Sequence, residues 1–490
     1  MTNKTLRILS AVIGLCLWFA GFAGAQAQPR TIRYGAQEPT LRPSPVRVAV
    51  DWGKADAEAV QKLSEYLRVD TSNPPGTESR GVEWLKKIFD AEGIPYETAE
   101  SAPGRGNIVA RLKGAGTEPA LILLHHIDVV PSNPEFWTTD PFSGEVRDGY
   151  IWGRGAVDMK GQGIAQLMAF LMLHRAKVPL RRDVIYLATA DEEAGGNFGA
   201  GWVVKNKPDW IAGAGFLLNE GANSRADDSG EPIYFGIGAT EKTPAWLKLT
   251  ATGTPGHGAV PRPDSAVNKL IAALERLRTY QPPLEVTPPI ARALASLAQY
   301  ESEPWRSRLR DISAFAKKRN ARKELAKRPG LLALVTNTIS VTGLEGTKKI
   351  NIIPPVATAL VDCRLLPTWT IERWVAEVRR IIQDDSIKID VILNFPATES
   401  PLATPLHDVI VRAVRDLHPG AGVAETVSAG FTDSHFFREK GIVSYGIGMF
   451  ALADKDGMRA HGNDERIPVK AFSDGVRLTW EVVYRFARQD

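Results

Sequence analysis

The chain has 490 residues, 44% of them hydrophobic and 24% charged, with a formal net charge of +4. That length exceeds what one hydrophobic core usually serves, so two domains are expected, and the apolar and charged fractions are ordinary for a soluble globular protein. Lys4 and Arg7 carry two of the positive charges in a segment expected to be removed, and the near-neutral remainder argues against a nucleic-acid or membrane-surface partner.

The first 27 residues read as a secretory signal. Lys4 and Arg7 precede an apolar stretch over residues 8–23, and Ala25-Gln26-Ala27 has the small-x-small form of a cleavage site. An uncleaved anchor is the alternative, which Gly14, Gly21, Gly24 and the short run disfavour. The expected destination is the periplasm or the extracellular medium, with no stable membrane span after cleavage. Cys16 falls inside the signal and fits a lipoprotein attachment site poorly. Only Cys363 then remains, which rules out an internal disulfide.

Residues 28–46 are rich in Pro, Arg and Gln and read as a loose lead-in. Helical patterns follow over 55–67 and 81–92, separated by the turn-rich DTSNPPGTES, and strand-like runs cover 108–112 and 120–124. A helix is predicted over 160–174, then buried-type strands over 183–189 and 215–219. This alternation implies an α/β domain with a mostly parallel sheet covered on both faces. From about residue 242 the texture changes. Strands at 246–252, 338–342, 350–365 and 387–394 interleave with helices at 265–280 and 371–382, the β-α-β-β-α-β order of a ferredoxin-like α+β unit. The predicted organisation is therefore a catalytic domain over 47–241 and 397–490, interrupted by a smaller lid or dimerisation domain over 242–396. A helical insertion spans about 286–334, basic around residues 317–328. That basic stretch reads as a solvated helix face or as a mouth attracting anionic substrates.

Five short segments carry the chemistry: HHIDVVP at His126, GRGAVDMKG at Asp158, ADEEAGG at Glu192 and Glu193, LLNEGAN at Glu220 and AHGNDER at His461. Each alone is compatible with a turn, a cap or surface charge. Three of them stand immediately after predicted parallel strands, at the carboxyl edge where α/β sheets build their sites. Together they offer two imidazoles and four carboxylates, enough for two zinc ions and one spare acid for proton transfer. Glu192 and Glu193 are adjacent, so their side chains diverge, and one can ligate metal while the other faces substrate. Asp128, two residues after His126, is a natural acceptor for the second nitrogen of a ligating imidazole.

The motifs H-x-D-V-V-P, W-x-x-x-P-F, G-R-G-A-x-D-M-K-G, D-E-E, N-E-G, G-H-G-x-x-P, N-x-I-P, D-x-R-L-x-P, T-D-S and H-G-x-x-E, spread over residues 55–485, resemble those of a two-zinc hydrolase superfamily. It includes aminoacylase, carboxypeptidase G, carboxypeptidase S, acetylornithine deacetylase and succinyl-diaminopimelate desuccinylase. The resemblance implies two zinc ions per subunit, or cobalt or manganese in their place. His126 and Glu220 would hold one and Glu193 and His461 the other, with Asp158 bridging them and a cis peptide following it. It further implies Asp128 orienting His126, Glu192 as general acid/base, and His257 reaching across a homodimer formed through the lid domain to steady the oxyanion. Asn351 and Arg364 would hold the substrate carboxylate, and Gly430 and Thr432 belong to a substrate loop in which Phe431 replaces a small residue. The implied reaction is amide hydrolysis by metal-activated water, on peptides in the carboxypeptidase manner or on N-acyl amino acids. Glu220 in place of Asp resembles the carboxypeptidase and deacylase members more than the aminopeptidases, and the DTSNPPG opening and the long insertion resemble the carboxypeptidase S and N-fatty-acyl amino acid hydrolase branch. A dipeptidase or aminopeptidase is the alternative. An inactive metal-binding, peptide-binding protein would lack a ligand or the acid/base carboxylate, and neither is missing.

Overall fold

The apolar runs that end at the candidate ligands become neighbouring strands. In the computed structural model, which describes residues 48–489, Ala120–His126 lies between Val184–Thr189 and Ala214–Asn219 and runs parallel to both. The expected signal peptide and lead-in fall outside the described residues. Every residue of the first two strands is buried. Their side chains alternate between two apolar layers, as a period of two requires. Leu121, Leu123, Val184, Tyr186, Phe216 and Leu218 enter the larger layer, whereas Ile122, Leu124, Ile185, Leu187 and Leu217 enter the smaller. Cover on both faces is what a parallel sheet needs, since neither face meets water.

Val443–Ile447 extends this parallel centre beside Ala214–Asn219, and the direction reverses at Pro232–Glu241. On the other side Gly106–Leu112 and Tyr96–Glu100 are added antiparallel, in a sheet of ten strands. The helix Lys160–Arg175 is buried from Lys160 to Leu173. It lies close enough to the sheet that a Cβ at Gly163 would come 2.4 Å from the His125 ring, so the crossing demands glycine.

A second sheet of four antiparallel strands is built from Thr243–Thr252, Thr338–Glu345, Val356–Leu365 and Lys388–Asn394. Its order, with Val356–Leu365 and Thr243–Thr252 central, is that of a split β-α-β unit. Ala245, Leu247, Leu249, Ala357, Val361 and Cys363 pack against the helices Ala266–Thr279 and Ile371–Ile382 in a core of their own. The long run predicted over 350–365 breaks in two: Ile352–Ile353 pairs with Gly256–His257, and the ladder proper begins at Val356. Residues 288–334 form short helices around Leu294, Leu309, Phe315 and Leu325. The crossing between the sheets is pinned by buried polar groups. Glu241 accepts from Thr432 Oγ1 at 2.9 Å and Arg438 Nη1 at 2.8 Å. Lys242 Nζ donates to the carbonyls of Ala333 and Thr336 at 2.8 and 2.7 Å. Among the described residues no helix is long and apolar enough to cross a membrane.

Candidate active site

Three parallel strands deliver their following residues to one edge of the sheet. Ala120–His126 ends on His126, Val184–Thr189 leads to Asp191, Glu192 and Glu193, and Ala214–Asn219 leads to Glu220. Asp158, from the loop before the buried helix, and His461, from the loop after Asp454–Gly457, complete the group. The Asp158–Met159 peptide is cis, and His461 adopts a left-handed φ of 61°.

His126 Nδ1 stands 2.9 Å from the backbone oxygen of Asp128. A carbonyl only accepts, so this nitrogen donates and the lone pair is left on Nε2. Nε2 faces Asp158 Oδ1 at 3.2 Å and Glu220 Oε1 at 3.4 Å. The other Asp158 oxygen, Oδ2, lies 3.0 Å from His461 Nε2, which is 3.2 Å from Glu193 Oε2. Two sets of three donors therefore share Asp158: His126, Asp158 and Glu220, and Asp158, Glu193 and His461, the donor atoms of each lying within 4.8 Å of one another. Glu193 Oε1 is buried with no hydrogen-bond partner. Imidazole and carboxylate are the donors zinc takes, and one carboxylate with an oxygen toward each set is the arrangement that bridges a metal pair. The residues fit two divalent cations.

The electrostatics agree with that fit. Burial and the neighbouring Asp158 charge push Glu193 up to about 7. Burial, together with Glu220 and Glu193, holds the Glu192 carboxyl well above the usual carboxylate range. Burial would raise Asp158 as well, but His126 and His461 hold it below that range. Contacts with Asp158 and Glu193 lift His461 to about 10. Four acids crowded at a sheet edge are the negative field in which a cation is stabilised.

Asp128 has a part beyond the one its spacing suggests. Its carboxylate is 3.6 Å from His126 Nδ1, farther than its own backbone oxygen, and also accepts the amides of Glu192 and Glu193, each at 3.1 Å. Glu465, whose motif had no assigned role, makes a matching clasp. Its Oε1 accepts the amides of Val157 at 2.8 Å and Asp158 at 3.0 Å, and its Oε2 meets Arg154 Nη1 at 2.5 Å. Asn73 and Arg105 also went unnoticed in the sequence, the first inside the Pro-rich turn and the second in no motif. Asn73 Nδ2 donates to Asp128 Oδ2 at 2.8 Å.

A cavity of about 770 Å³ opens over the two donor sets. Asp158, Glu192, Glu193, Glu220 and His461 line it, as do Arg364, Gly430 and Thr432. Arg364 comes from the second sheet, with Nε and Nη2 turned to Asp362 at 2.7 and 3.0 Å and its guanidinium 4.9 Å over the Phe431 ring. Trp246, Val427, Phe431, Met449, Phe450 and Leu452 give the cavity an apolar wall. His257 and Asn351 are brought to each other and not to the cavity. They sit at the Gly256–His257 and Ile352–Ile353 ribbon, where Gly258 N donates to Asn351 O at 2.9 Å, and both are exposed. None of the cavity-lining residues comes from the basic insertion.

Residues 122–485 match the model of peptidase family M20/M25/M40, and the ligand geometry falls within that span. The chain belongs to this family. Peptidase family M20/M25/M40 membership makes it a hydrolase of carbon–nitrogen bonds. The chain is 33% identical over 359 residues to the N-fatty-acyl-amino acid synthase/hydrolase PM20D1 of Xenopus tropicalis, covering 71% of this chain and 69% of that protein. It is 26% identical to aminoacylase-1 of Sus scrofa, covering 88% and 95%. Among solved structures, the M20 family metallo-carboxypeptidase Sso-CP2 from Sulfolobus solfataricus superposes with a TM-score of 0.66 at 20% identity, over 87% of this chain and 98% of that one. That likeness is one of fold, an α/β architecture with a large, mostly parallel central sheet.

Proposed function

We propose that the protein is an exported, two-zinc amidohydrolase that cleaves N-acyl amino acids. The observation that carries this reading is the cavity itself, which joins two three-donor sets and the buried Glu192 to an apolar wall ending at Arg364. The likeness to an N-fatty-acyl-amino acid hydrolase and to an aminoacylase supports the same substrate class. An acyl chain suits Trp246, Phe431, Met449 and Phe450, and a substrate carboxylate suits Arg364, whose Nη1 is left outside the pairing with Asp362.

His126, Asp158 and Glu220 would hold one zinc ion and Asp158, Glu193 and His461 the other, and bound zinc would acidify water and polarise the amide carbonyl. Glu192 moves the proton. Its carboxylate takes one from the attacking water, the transfer its raised affinity for protons favours, and returns it to the leaving nitrogen. Asp128 fixes the backbone on which Glu192 is carried. The residues 47–241 and 397–490 act as the catalytic domain and 242–396 as a lid. The lid also pairs two subunits, so that the exposed His257 and Asn351 serve the site of a second copy. A carboxypeptidase acting on peptides is the second reading, favoured by the Sso-CP2 fold and by Arg364.

The test is hydrolysis of a matched series of N-acyl amino acids and peptides by the zinc-loaded enzyme and by Glu192→Gln. Acyl amino acids turned over in preference to peptides, with kcat lost by about 10²–10⁴-fold in Glu192→Gln at unchanged metal content, is the expected result. Substantial turnover by that variant would refute the role of Glu192. Preference for peptides would select the second reading.

A further inference from the structure

Beneath the Glu192–Glu193 turn runs a set of buried polar groups that touch neither the cavity nor the candidate ligands' donor atoms. Asn73 is at its centre. Its Nδ2 donates to Asp128 Oδ2 at 2.8 Å and Asp191 Oδ1 at 3.3 Å, and its Oδ1 accepts from Arg105 Nη1 at 3.1 Å. Its backbone N–H donates to Val129 O at 2.9 Å, tying the Pro-rich turn to the segment that follows His126. Arg105 completes the set through Nη2, which pairs with Asp191 and lies 3.3 Å from Glu78 Oε1. Glu78 Oε1 also accepts the Asp191 amide at 3.2 Å. All five residues are at most 6% exposed.

Two backbone observations show what this network holds. Asp191, the residue before Glu192, has a left-handed φ of 72°, a conformation that a non-glycine residue keeps only where its surroundings over-determine it. Gly76 has a φ of 89°, and a Cβ there would come 1.4 Å from Arg105 Nη1, so the turn bears glycine where the guanidinium passes. Two acids, Glu78 and Asp191, pair with the Arg105 guanidinium, and Asn73 links them to a third, Asp128. Asn73 is the neutral member whose amide lets Asp128 and Asp191 share a donor.

We propose that Asn73 and Arg105 are positioning residues for the Glu192 carboxylate, acting through Asp128 and Asp191. The inference rests on the reading of Glu192 as the proton carrier. Glu192 must present its oxygens to the water and then to the leaving nitrogen, and displacement of such a group by about 1 Å costs up to about 10²-fold in rate. Asp128 grips the two amides that set this position, and Asn73 and Arg105 fix Asp128 and Asp191 against each other. Asn73→Asp places a fourth carboxylate in the cluster and turns a donor into an acceptor, so it is the more damaging change. Asn73→Ala merely leaves the two acids without their shared amide.

The test compares Asn73→Ala, Asn73→Asp, Arg105→Lys and Arg105→Met in the zinc-loaded enzyme, reading kcat and KM for an N-acyl amino acid, bound zinc, and amide hydrogen exchange over residues 190–196. The expected outcome for Asn73→Ala is a kcat lower by about 10–100-fold, KM within about threefold, both metals retained, and at least tenfold faster exchange at the Glu192 and Glu193 amides. Asn73→Asp falls further, and Arg105→Lys retains more kcat than Arg105→Met. Arg105→Lys keeps the charge and is the milder probe where an Asn73 variant does not fold; for it, a lower kcat at unchanged KM and metal content is expected. A kcat within threefold of the parent in Asn73→Ala, or losses in every soluble variant that merely track lost metal or lost fold, would overturn the proposal. Should Glu192→Gln keep its activity, the proton-carrier reading falls by itself, and the exchange rates still decide whether Asn73 holds the turn.

Discussion

Glu465→Gln is the sharpest single probe of how the segment bearing Asp158 is held. Glu465 Oε1 accepts the amides of Val157 and Asp158, and Oε2 pairs with Arg154 Nη1 at 2.5 Å. Glu465 is fully buried and Arg154 is 2% exposed. A glutamine has one oxygen for two sets of donors. Whichever way its amide turns, an NH₂ group faces either the Arg154 guanidinium or the two backbone amides, and a buried cation loses its counter-charge. Breaking a buried pair from one side costs about 3–5 kcal/mol. With an unfolding entropy of about 2.1 cal/mol/K per residue, a chain of this length has about 1 kcal/mol/K, so the expected drop in Tm is about 3–5 °C. Differential scanning calorimetry at fixed zinc reads it. A second variant, Arg154→Met in the Glu465→Gln background, removes the stranded cation and is expected to recover part of the loss. A Glu465→Gln Tm within 1 °C of the parent would refute the reasoning, as would a double variant whose loss equals the sum of the two single ones.

Chelation is expected to abolish hydrolysis and lower Tm by about 3 °C, from about 2.7 kcal/mol of linkage at a hundredfold excess of zinc over its Kd; restored zinc brings both back, and a Tm indifferent to chelator would contradict the metal-site reading. Phe431→Ala opens the apolar wall, so KM for long-chain N-acyl amino acids rises about 10-fold while that for N-acetyl substrates changes little, as steady-state kinetics across a chain-length series would show. Burial, with Arg364 nearby, brings the Lys242 ammonium down to about 7 from an ordinary 10.5. Between those values the unfolded chain holds a proton that the folded one has released, so this group's contribution to stability rises as pH rises from 7 toward 10.5 and is least below 7. Urea midpoints of Lys242→Met and the parent, measured at pH 7 and 9.5, should therefore shift in favour of the parent at the higher pH; a difference independent of pH would count against a depressed lysine.

The strand ends were legible because burial on both faces writes them as unbroken apolar runs, and a run such as ALILL that stops on two histidines marks its own carboxyl edge. The order of the second sheet was equally readable, since Leu247 and Leu249 alternate with polar neighbours on a half-exposed strand. The break before Val356 was not, because Ile352, Ile353 and Val356 are all good strand formers and only the backbone shows which partner each takes. Ligand types could be read from single residues, whereas the clasps could not. Asp128 serves through two amides that have no side-chain signature, and Arg105 is one arginine among many until Asn73 and Asp191 are brought to it. The spacing H-x-D suggested a carboxylate against the imidazole; the turn at Asp128 brings its carbonyl there at 2.9 Å, with the carboxylate behind it at 3.6 Å.

The strand Val443–Ile447 enters the sheet between Ala214–Asn219 and Pro232–Glu241, which precede it by some two hundred positions, and the loop bearing His461 comes after it. During synthesis the early strands must therefore wait, with a slot open beside Ala214–Asn219, until almost the last segment has been made. Neither a nascent chain nor a fragment cleaved before residue 461 has the second three-donor set, because His461 has yet to arrive or has been lost. The second donor set is thus the last part of the cavity to be assembled, long after His126, Asp158 and Glu193 have been made.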